Sequence, residues 1–159
     1  MPGITGSWLK GKGPMTIEQY LKQYRNADRY VRKLEREIEK ERFLIDSIRS
    51  PLGSSGEPHG TGISKSVEIR AIRIADKVEE YERAAVQAVE LRQTVFDAIR
   101  NVEGIEGALL YEYYIDYFNE KKGKPKTWED VADIIHVDPR SVYRIKKRAF
   151  KKMSVYVSI

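Results

Sequence analysis

The last third of the chain carries a dense set of cations whose spacing could bind nucleic acid. Residues 121–152 hold eleven Lys and Arg against four Asp and Glu, a local net charge of +7. The whole chain has a net charge of +5, so all other residues together sum to −2. A basic excess confined to one segment is the electrostatic footprint expected on a phosphate backbone. The alternative is a solvated cationic face on a small helical bundle, although such faces usually mix both signs of charge.

Two short amphipathic helices separated by a tight turn must position these cations. Thr127 with Asp130 three residues later resembles a capping box, which would begin the first helix. Asp138 is a good N-cap for the second helix, with Pro139 at the first helical position. Apolar residues at spacings of three and four then predict a buried stripe on the second helix: Val142, Ile145, Ala149 and Met153. The segment therefore predicts a helix-turn-helix.

The orientation of such a motif divides its cations into two roles. The N-terminal residues of the second helix meet base edges, while the first helix crosses the phosphate backbone. Arg140 and Arg144 are therefore candidates for bidentate contact to guanine, and Ser141 and Tyr143 could reach a phosphate or a base edge. Phosphate contact without sequence reading is predicted for the remaining side chains: Lys124, Lys126, Thr127, Lys146, Lys147, Arg148, Lys151 and Lys152.

Two segments precede the motif. The run KKGKPK at 121–126 is interpreted as a flexible basic connector beside the phosphate backbone, or as a merely solvated loop. Upstream, Ile105–Phe118 is apolar and aromatic enough to form a third, buried helix of the same small domain. His136, in the turn of the motif, is interpreted as a turn residue or a phosphate contact.

The stretch from Leu109 to Met153, LLYEYYIDYF followed by TWEDVADIIHVDPRSVYRIKKRAF, is similar to region four of bacterial sigma factors. The same layout appears in phage transcriptional regulators of the ArpU/RinA type. The segment SPLGSSGEPHGTGIS at 50–64 resembles the linker of those phage proteins. The resemblance implies a sequence-specific regulator of phage late genes, and it places Pro139 with Arg140, Ser141, Tyr143 and Arg144 at base-facing positions. Pro139 differs from the polar residue often found there.

The middle of the chain predicts two long helices. From Ile17 to Ile48, and from about Ser66 to Val102, apolar residues alternate spacings of three and four, as in a coiled-coil seam. Two helices joined by a Gly/Ser/Pro-rich link favour an antiparallel hairpin. A hairpin alone has a thin core, which favours pairing between chains. A monomeric hairpin folded against its own C-terminal domain is the alternative.

We therefore predict an all-α protein in which a long antiparallel helical hairpin is followed by a small helix-turn-helix domain. The predicted organisation is a flexible N-terminal arm at 1–15, the hairpin at 16–102 with its linker at 50–65, the helix-turn-helix domain at 103–153 and a tail at 154–159.

Several classes of function are disfavoured by composition. The chain has no Cys, which excludes disulfides and thiolate chemistry and fits a reducing cytosol. The resemblance to phage regulators implies that this is the cytoplasm of a bacterial host cell. His59 in the linker has no second His or carboxylate at metal-ligand spacing, so we assign it a structural or partner-contact role. The sequence contains no cluster of acid, base and nucleophile of the kind that would predict an enzyme. No cofactor or membrane-spanning segment is expected either.

The sequence thus favours a sequence-specific DNA-binding transcriptional regulator, with double-stranded DNA as its partner. RNA polymerase and a second copy of the chain are further candidate partners through the long helices. A phage small terminase subunit, which recognises packaging-site DNA as a ring, is the alternative function. A protein-interaction module without DNA binding is a third possibility.

Overall fold

The computed structural model describes residues 15–49 and 61–157, and it confirms the all-α fold class. Within that part of the chain, α-helices are interrupted once by a short pair of strands. In order, the elements are α1 Ile17–Arg49, α2 Thr61–Ile99, α3 Gly104–Leu110, β1 Phe118–Asn119, β2 Lys124–Pro125, α4 Trp128–Ile134 and α5 Pro139–Met153. The chain divides into two compact units: the described residues of the first are 15–26 and 89–157, and those of the second are 27–49 and 61–88.

The second unit, described at residues 27–49 and 61–88, contains the paired parts of the two long helices. Ion pairs join Glu37 to Lys77 at 2.8 Å and Glu41 to Arg70 at 3.0 Å. The position on α2 falls as the position on α1 rises, so the two helices run antiparallel, as the predicted hairpin requires. The seam predicted for α1 supplies buried side chains to this unit: Val31, Leu34, Ile38 and Ile45.

The first unit has a core built by the N-terminal part of α1, the C-terminal part of α2 and the C-terminal helices. Leu21 of α1 and Val95 of α2 are fully buried in it. The C-terminal residues of the same core are Leu109, Leu110, Tyr114, Ile115, Val131, Ala132, Val142, Ile145, Ala149, Met153 and Val157. The base of the hairpin and the helix-turn-helix therefore share one hydrophobic core.

The ends of α2 differ from the prediction. The helix begins at Thr61, so the last five residues of the predicted 50–65 linker are helical. A single glycine, here Gly62, costs a helix only about 1 kcal/mol and did not stop it. At the other end α2 finishes at Ile99, three residues early, because the chain tightens into turns in which Val102 N–H donates to the Ile99 carbonyl at 2.9 Å.

The predicted helix over Ile105–Phe118 is shorter in the structure. α3 ends at Leu110, and a π-helical turn, Tyr111–Ile115, follows it. Asp116 N–H donates to the Tyr111 carbonyl at 2.9 Å, which closes that wide turn. The chain then leaves the helical path, so Phe118 lies in β1 rather than in a helix.

The basic run at 121–126 is not the flexible connector that was predicted. It forms the turn and second strand of a small antiparallel hairpin, in which Phe118 pairs with Pro125 and Asn119 with Lys124. Gly123 has a φ of +66°, a left-handed conformation that glycine adopts without strain. The strand pairing was missed because a two-residue strand leaves no periodic pattern to detect, while the exposed side chains of residues 121–124 agree with the alternative of a solvated segment.

Some predicted features lie outside the described residues. These are the N-terminal arm except Met15, the linker at 50–60 with its Pro58-His59-Gly60 motif, and the last two residues of the tail. Of the tail that is described, Val157 is buried in the first unit's own core. Within residues 15–49 and 61–157, no helix combines the length and apolar character needed to span a membrane.

Candidate nucleic-acid interface

The first helix of the motif, α4, is fixed at its start by the predicted capping box. The Thr127 hydroxyl accepts a hydrogen bond from Asp130 N–H at 3.2 Å, and the Asp130 carboxylate accepts one from Thr127 N–H at 2.9 Å. Asp130 also accepts a hydrogen bond from the Lys122 ammonium at 2.6 Å. This ammonium, followed by the Thr127 N–H, lowers the pKa of Asp130 to about 2. The same carboxylate therefore caps α4 and holds the β-hairpin against it.

The turn between α4 and α5 is tight and begins the second helix as predicted. His136 has a φ of +59°, the left-handed conformation that reverses the chain. Val137 N–H donates to the Ala132 carbonyl at 3.0 Å across this turn. The Asp138 carboxylate accepts a hydrogen bond from Arg140 N–H at 2.8 Å, and Pro139 occupies the first helical position. The structure therefore places His136 as a turn residue.

The second helix, α5, has one apolar face and one cationic face. All four residues of its predicted apolar stripe are buried against α3 and α4: Val142, Ile145, Ala149 and Met153. On the opposite side of the helix, four exposed cations repeat at intervals of four, three and four: Arg140, Arg144, Lys147 and Lys151. We call these four residues the basic stripe. Its residues present their charge to solvent because the opposite face is fixed in the core.

The cations of α5 differ in their ionic partners. Among the described residues, Arg144, Lys147 and Lys151 have no ion-pair partner, whereas the Arg140 guanidinium lies 3.1 Å from Asp138 in its own N-cap. The Arg140 side chain remains 92% exposed despite this pair. An ion pair so exposed contributes little to stability, so this arginine can exchange its carboxylate for another anion.

Glu106, on α3, holds two further predicted phosphate contacts. Its carboxylate lies 2.9 Å from the Lys152 ammonium and 3.5 Å from the Arg148 guanidinium. The hydrogen bond from Lys152 is the main reason that the pKa of Glu106 is lowered. Both cations are about half exposed, on the flank of α5 that faces α3. They lie beside the basic stripe, with part of their charge already neutralised.

Two of the predicted phosphate contacts face the protein instead of solvent. The Lys126 side chain is buried, with its ammonium 2.9 Å from Glu112 and 3.5 Å from Asp116. The Lys146 ammonium lies 3.5 Å from Glu18 and 4.8 Å from the centre of the Trp128 ring. Neither ammonium joins the basic stripe.

The remaining predicted contacts have mixed settings. Tyr143 is 73% exposed next to the basic stripe, and Pro139 is exposed at the start of α5. Ser141 is half-buried and lines a cleft with Arg144 and Arg148. Of the predicted base-reading residues, the structure thus exposes Pro139, Arg140, Tyr143 and Arg144 in the N-terminal half of α5 and leaves Ser141 half-buried beside them.

Thr127 is the N-cap of α4 and Lys124 lies on β2, so neither residue belongs to α5. The Thr127 hydroxyl is engaged in the cap of α4, and Lys124 is exposed on β2. Sequence reasoning missed the acids that orient the cations of α5, Glu18 and Glu106. Glu18 lies 128 residues before Lys146, its partner, and no local pattern signals a pairing of that range.

No group of three or more His, Asp or Glu residues that could hold a metal ion occurs among the residues the structure describes. No protein-family model, no curated protein and no solved structure matches this chain. The candidate interface therefore rests on the geometry of α5 and its neighbours alone.

Proposed function

We propose that this chain is a sequence-specific regulator of transcription that binds double-stranded DNA through α5. The observation that carries the proposal is the basic stripe, which lies opposite the buried face of the second helix in a helix-turn-helix. A helix held in this way can enter the major groove with its N-terminal residues at the base edges. The proposed setting is control of phage or prophage late genes in the cytoplasm of a bacterial host, as the resemblance to sigma region four and the ArpU/RinA regulators implies.

The roles proposed for the cations follow from their positions and partners. Arg140 and Arg144 lie in the first half of α5 and would read guanine, with Pro139, Ser141 and Tyr143 beside them. Lys147 and Lys151 lie further along the stripe and would contact phosphate. Arg148 and Lys152 would contact phosphate more weakly because each must share its charge with Glu106.

We propose that two copies of the chain associate through the helical hairpin of α1 and α2. Three apolar residues of α2 in the second unit remain exposed, by 44%, 57% and 61%: Ile69, Ile72 and Val86. Exposed apolar side chains at helical spacing favour a second helix as their partner. A dimer would present two recognition helices to two half-sites. A large ring would instead favour the small terminase alternative, so the mass in solution, measured by light scattering, separates the two functions.

The test of DNA reading begins with a duplex enriched from a random library by the wild-type protein. Binding of this duplex and of a shuffled duplex is then titrated for three variants: Arg144→Ala, Lys151→Ala and Lys40→Ala. The last is the control, at an exposed position of α1. We expect Arg144→Ala to weaken binding of the enriched duplex by about 5- to 150-fold, since one bidentate base contact contributes about 1–3 kcal/mol. Its effect on the shuffled duplex should be much smaller.

Lys151→Ala should weaken both duplexes by the same factor, because a phosphate contact carries no sequence information. Lys40→Ala should change neither. Equal losses for Arg144→Ala on both duplexes would contradict its base-reading role. Failure of the wild-type protein to enrich or bind any duplex would overturn the proposed function itself.

A further inference from the structure

The β-hairpin before α4 presents a second cluster of cations, which the recognition helix does not include. Three lysines lie on or beside its turn, Lys121, Lys122 and Lys124, and all three are exposed. Only one acid, Glu120, lies between β1 and β2. We call Lys121, Lys122 and Lys124 the hairpin lysines.

The turn that carries the hairpin lysines is ordered by its own hydrogen bonds. Gly123 N–H donates to the Asn119 carbonyl at 2.8 Å, and Lys122 N–H donates to the Asn119 side-chain oxygen at 3.1 Å. At the base of the hairpin, Lys126 N–H donates to the Tyr117 carbonyl at 2.6 Å. Tyr117 is buried in the first unit. The lysines therefore project from a held turn rather than from a free loop.

The tip of the hairpin lies beside the first turn of α4. The Lys122 ammonium reaches Asp130, which is the third residue of that helix, at 2.6 Å. This ion pair satisfies Lys122, whereas Lys121 and Lys124 have no ion-pair partner among the residues the structure describes. In helix-turn-helix proteins, the helix before the recognition helix crosses the phosphate backbone. A cationic tip held at the start of α4 would therefore meet that backbone.

We propose that Lys121 and Lys124 form a second DNA contact, a phosphate clamp beside the groove that α5 enters. This inference rests on the proposed function, and it extends the interface from one helix to a helix and a hairpin. Lys122 is the anchor of the clamp, since its ammonium ties the tip to α4. The contact reads no bases, because a lysine ammonium is a point charge that binds any phosphate. Its expected signature is thus a salt effect that is equal on all sequences.

The test measures the binding constant against salt concentration for the Lys121→Ala/Lys124→Ala double variant. The slope of log K against log[salt] changes by about 0.9 for each phosphate that the protein no longer neutralises. We therefore expect the slope to fall in magnitude by about 1.8, from two such phosphates, with equal decreases in affinity for the enriched and shuffled duplexes. The Lys121→Gln/Lys124→Gln double variant keeps most of the length and the polarity of the side chains, and it should give the same result.

A charge-matched control places the contact on the molecule. The Lys33→Ala/Lys40→Ala double variant removes two exposed lysines from α1 in the second unit. It should leave the slope unchanged, and an equal fall in both double variants would overturn the clamp in favour of a bulk charge effect. If the double variants at Lys121 and Lys124 keep the wild-type slope while Arg144→Ala still weakens binding of the enriched duplex, the clamp fails and the proposed function stands. If the wild-type protein binds no duplex, the proposed function fails as well.

Discussion

The guanidinium of Arg25 donates a hydrogen bond of 3.0 Å to the backbone carbonyl of Lys126, which lies 101 residues later in the chain. The same guanidinium lies over the ring of Tyr113, 4.0 Å from its centre. Arg25 belongs to the start of α1, and Lys126 lies between β2 and α4. One buried cation thereby ties α1 to the segment that leads into the helix-turn-helix.

Replacing Arg25 should therefore destabilise the protein. Arg25→Ala removes the hydrogen bond to a buried carbonyl and the cation–π contact with Tyr113, and we expect a decrease of about 2 kcal/mol in the free energy of unfolding. Urea denaturation followed by circular dichroism measures this decrease. Arg29→Ala, an exposed arginine one turn further along α1, is the matched control and should change the free energy by less than about 0.5 kcal/mol. Similar values for the two variants would contradict the role of Arg25.

Lys126 should act on stability and not on DNA binding. Lys126→Ala leaves the carboxylates of Glu112 and Asp116 without their shared ammonium, so we expect the free energy of unfolding to fall by about 2 kcal/mol. The salt dependence of DNA binding should stay as in the wild type, measured at a temperature where the variant is folded. Lys124→Ala is the natural comparison, because that lysine is exposed. It should show the reverse behaviour: little change in the free energy of unfolding and a lower salt slope. A stable Lys126→Ala variant with a lowered salt slope would restore the phosphate contact predicted from the sequence.

The carboxylate of Asp130 should make stability depend on acidity. Its pKa is about 2 in the folded protein against an ordinary value of 3.8, so the unfolded chain binds the proton more tightly. The stability that Asp130 contributes is therefore present above about pH 4, and it is lost as the pH falls towards 2. The difference in unfolding free energy between the wild type and Asp130→Asn should shrink over that window. Asp133→Asn, in the same helix, controls for the change in net charge, and a difference that stays constant throughout the acid titration would contradict the prediction.

Tyr114 offers a test in the stabilising direction. Its side chain is fully buried, and its hydroxyl has no hydrogen-bond partner among the described residues. Burial also raises the pKa of this hydroxyl far above its ordinary value. Because an unsatisfied buried hydroxyl costs free energy, Tyr114→Phe should raise the thermal midpoint, with a gain of about 1 kcal/mol. Tyr156→Phe, at an exposed position, should leave the midpoint unchanged. A clear fall for Tyr114→Phe would show that the hydroxyl has a partner in solution.

The parts of this structure that follow from the sequence are those set by neighbours in the chain. The cap of α4 joins Thr127 to Asp130, and the stripe of α5 repeats every three or four residues, so both were predicted correctly. Lys126 shows where such reasoning ends. Its residue type predicts a solvated cation, but the π-helical turn after α3 brings Glu112 and Asp116 next to its ammonium. Arg25 gave no signal at all, since its partners lie about 90 to 100 residues away.

The two faces of α5 also bear on how this protein can diversify. The basic stripe shares no side with the buried stripe of Val142, Ile145, Ala149 and Met153. Substitutions at Arg140, Arg144 and Lys147 therefore leave the packing of the core intact. Under the proposed function, operator preference and folding can therefore evolve independently on this helix. A combinatorial library at these three positions should yield variants with new target sequences and an unchanged melting temperature.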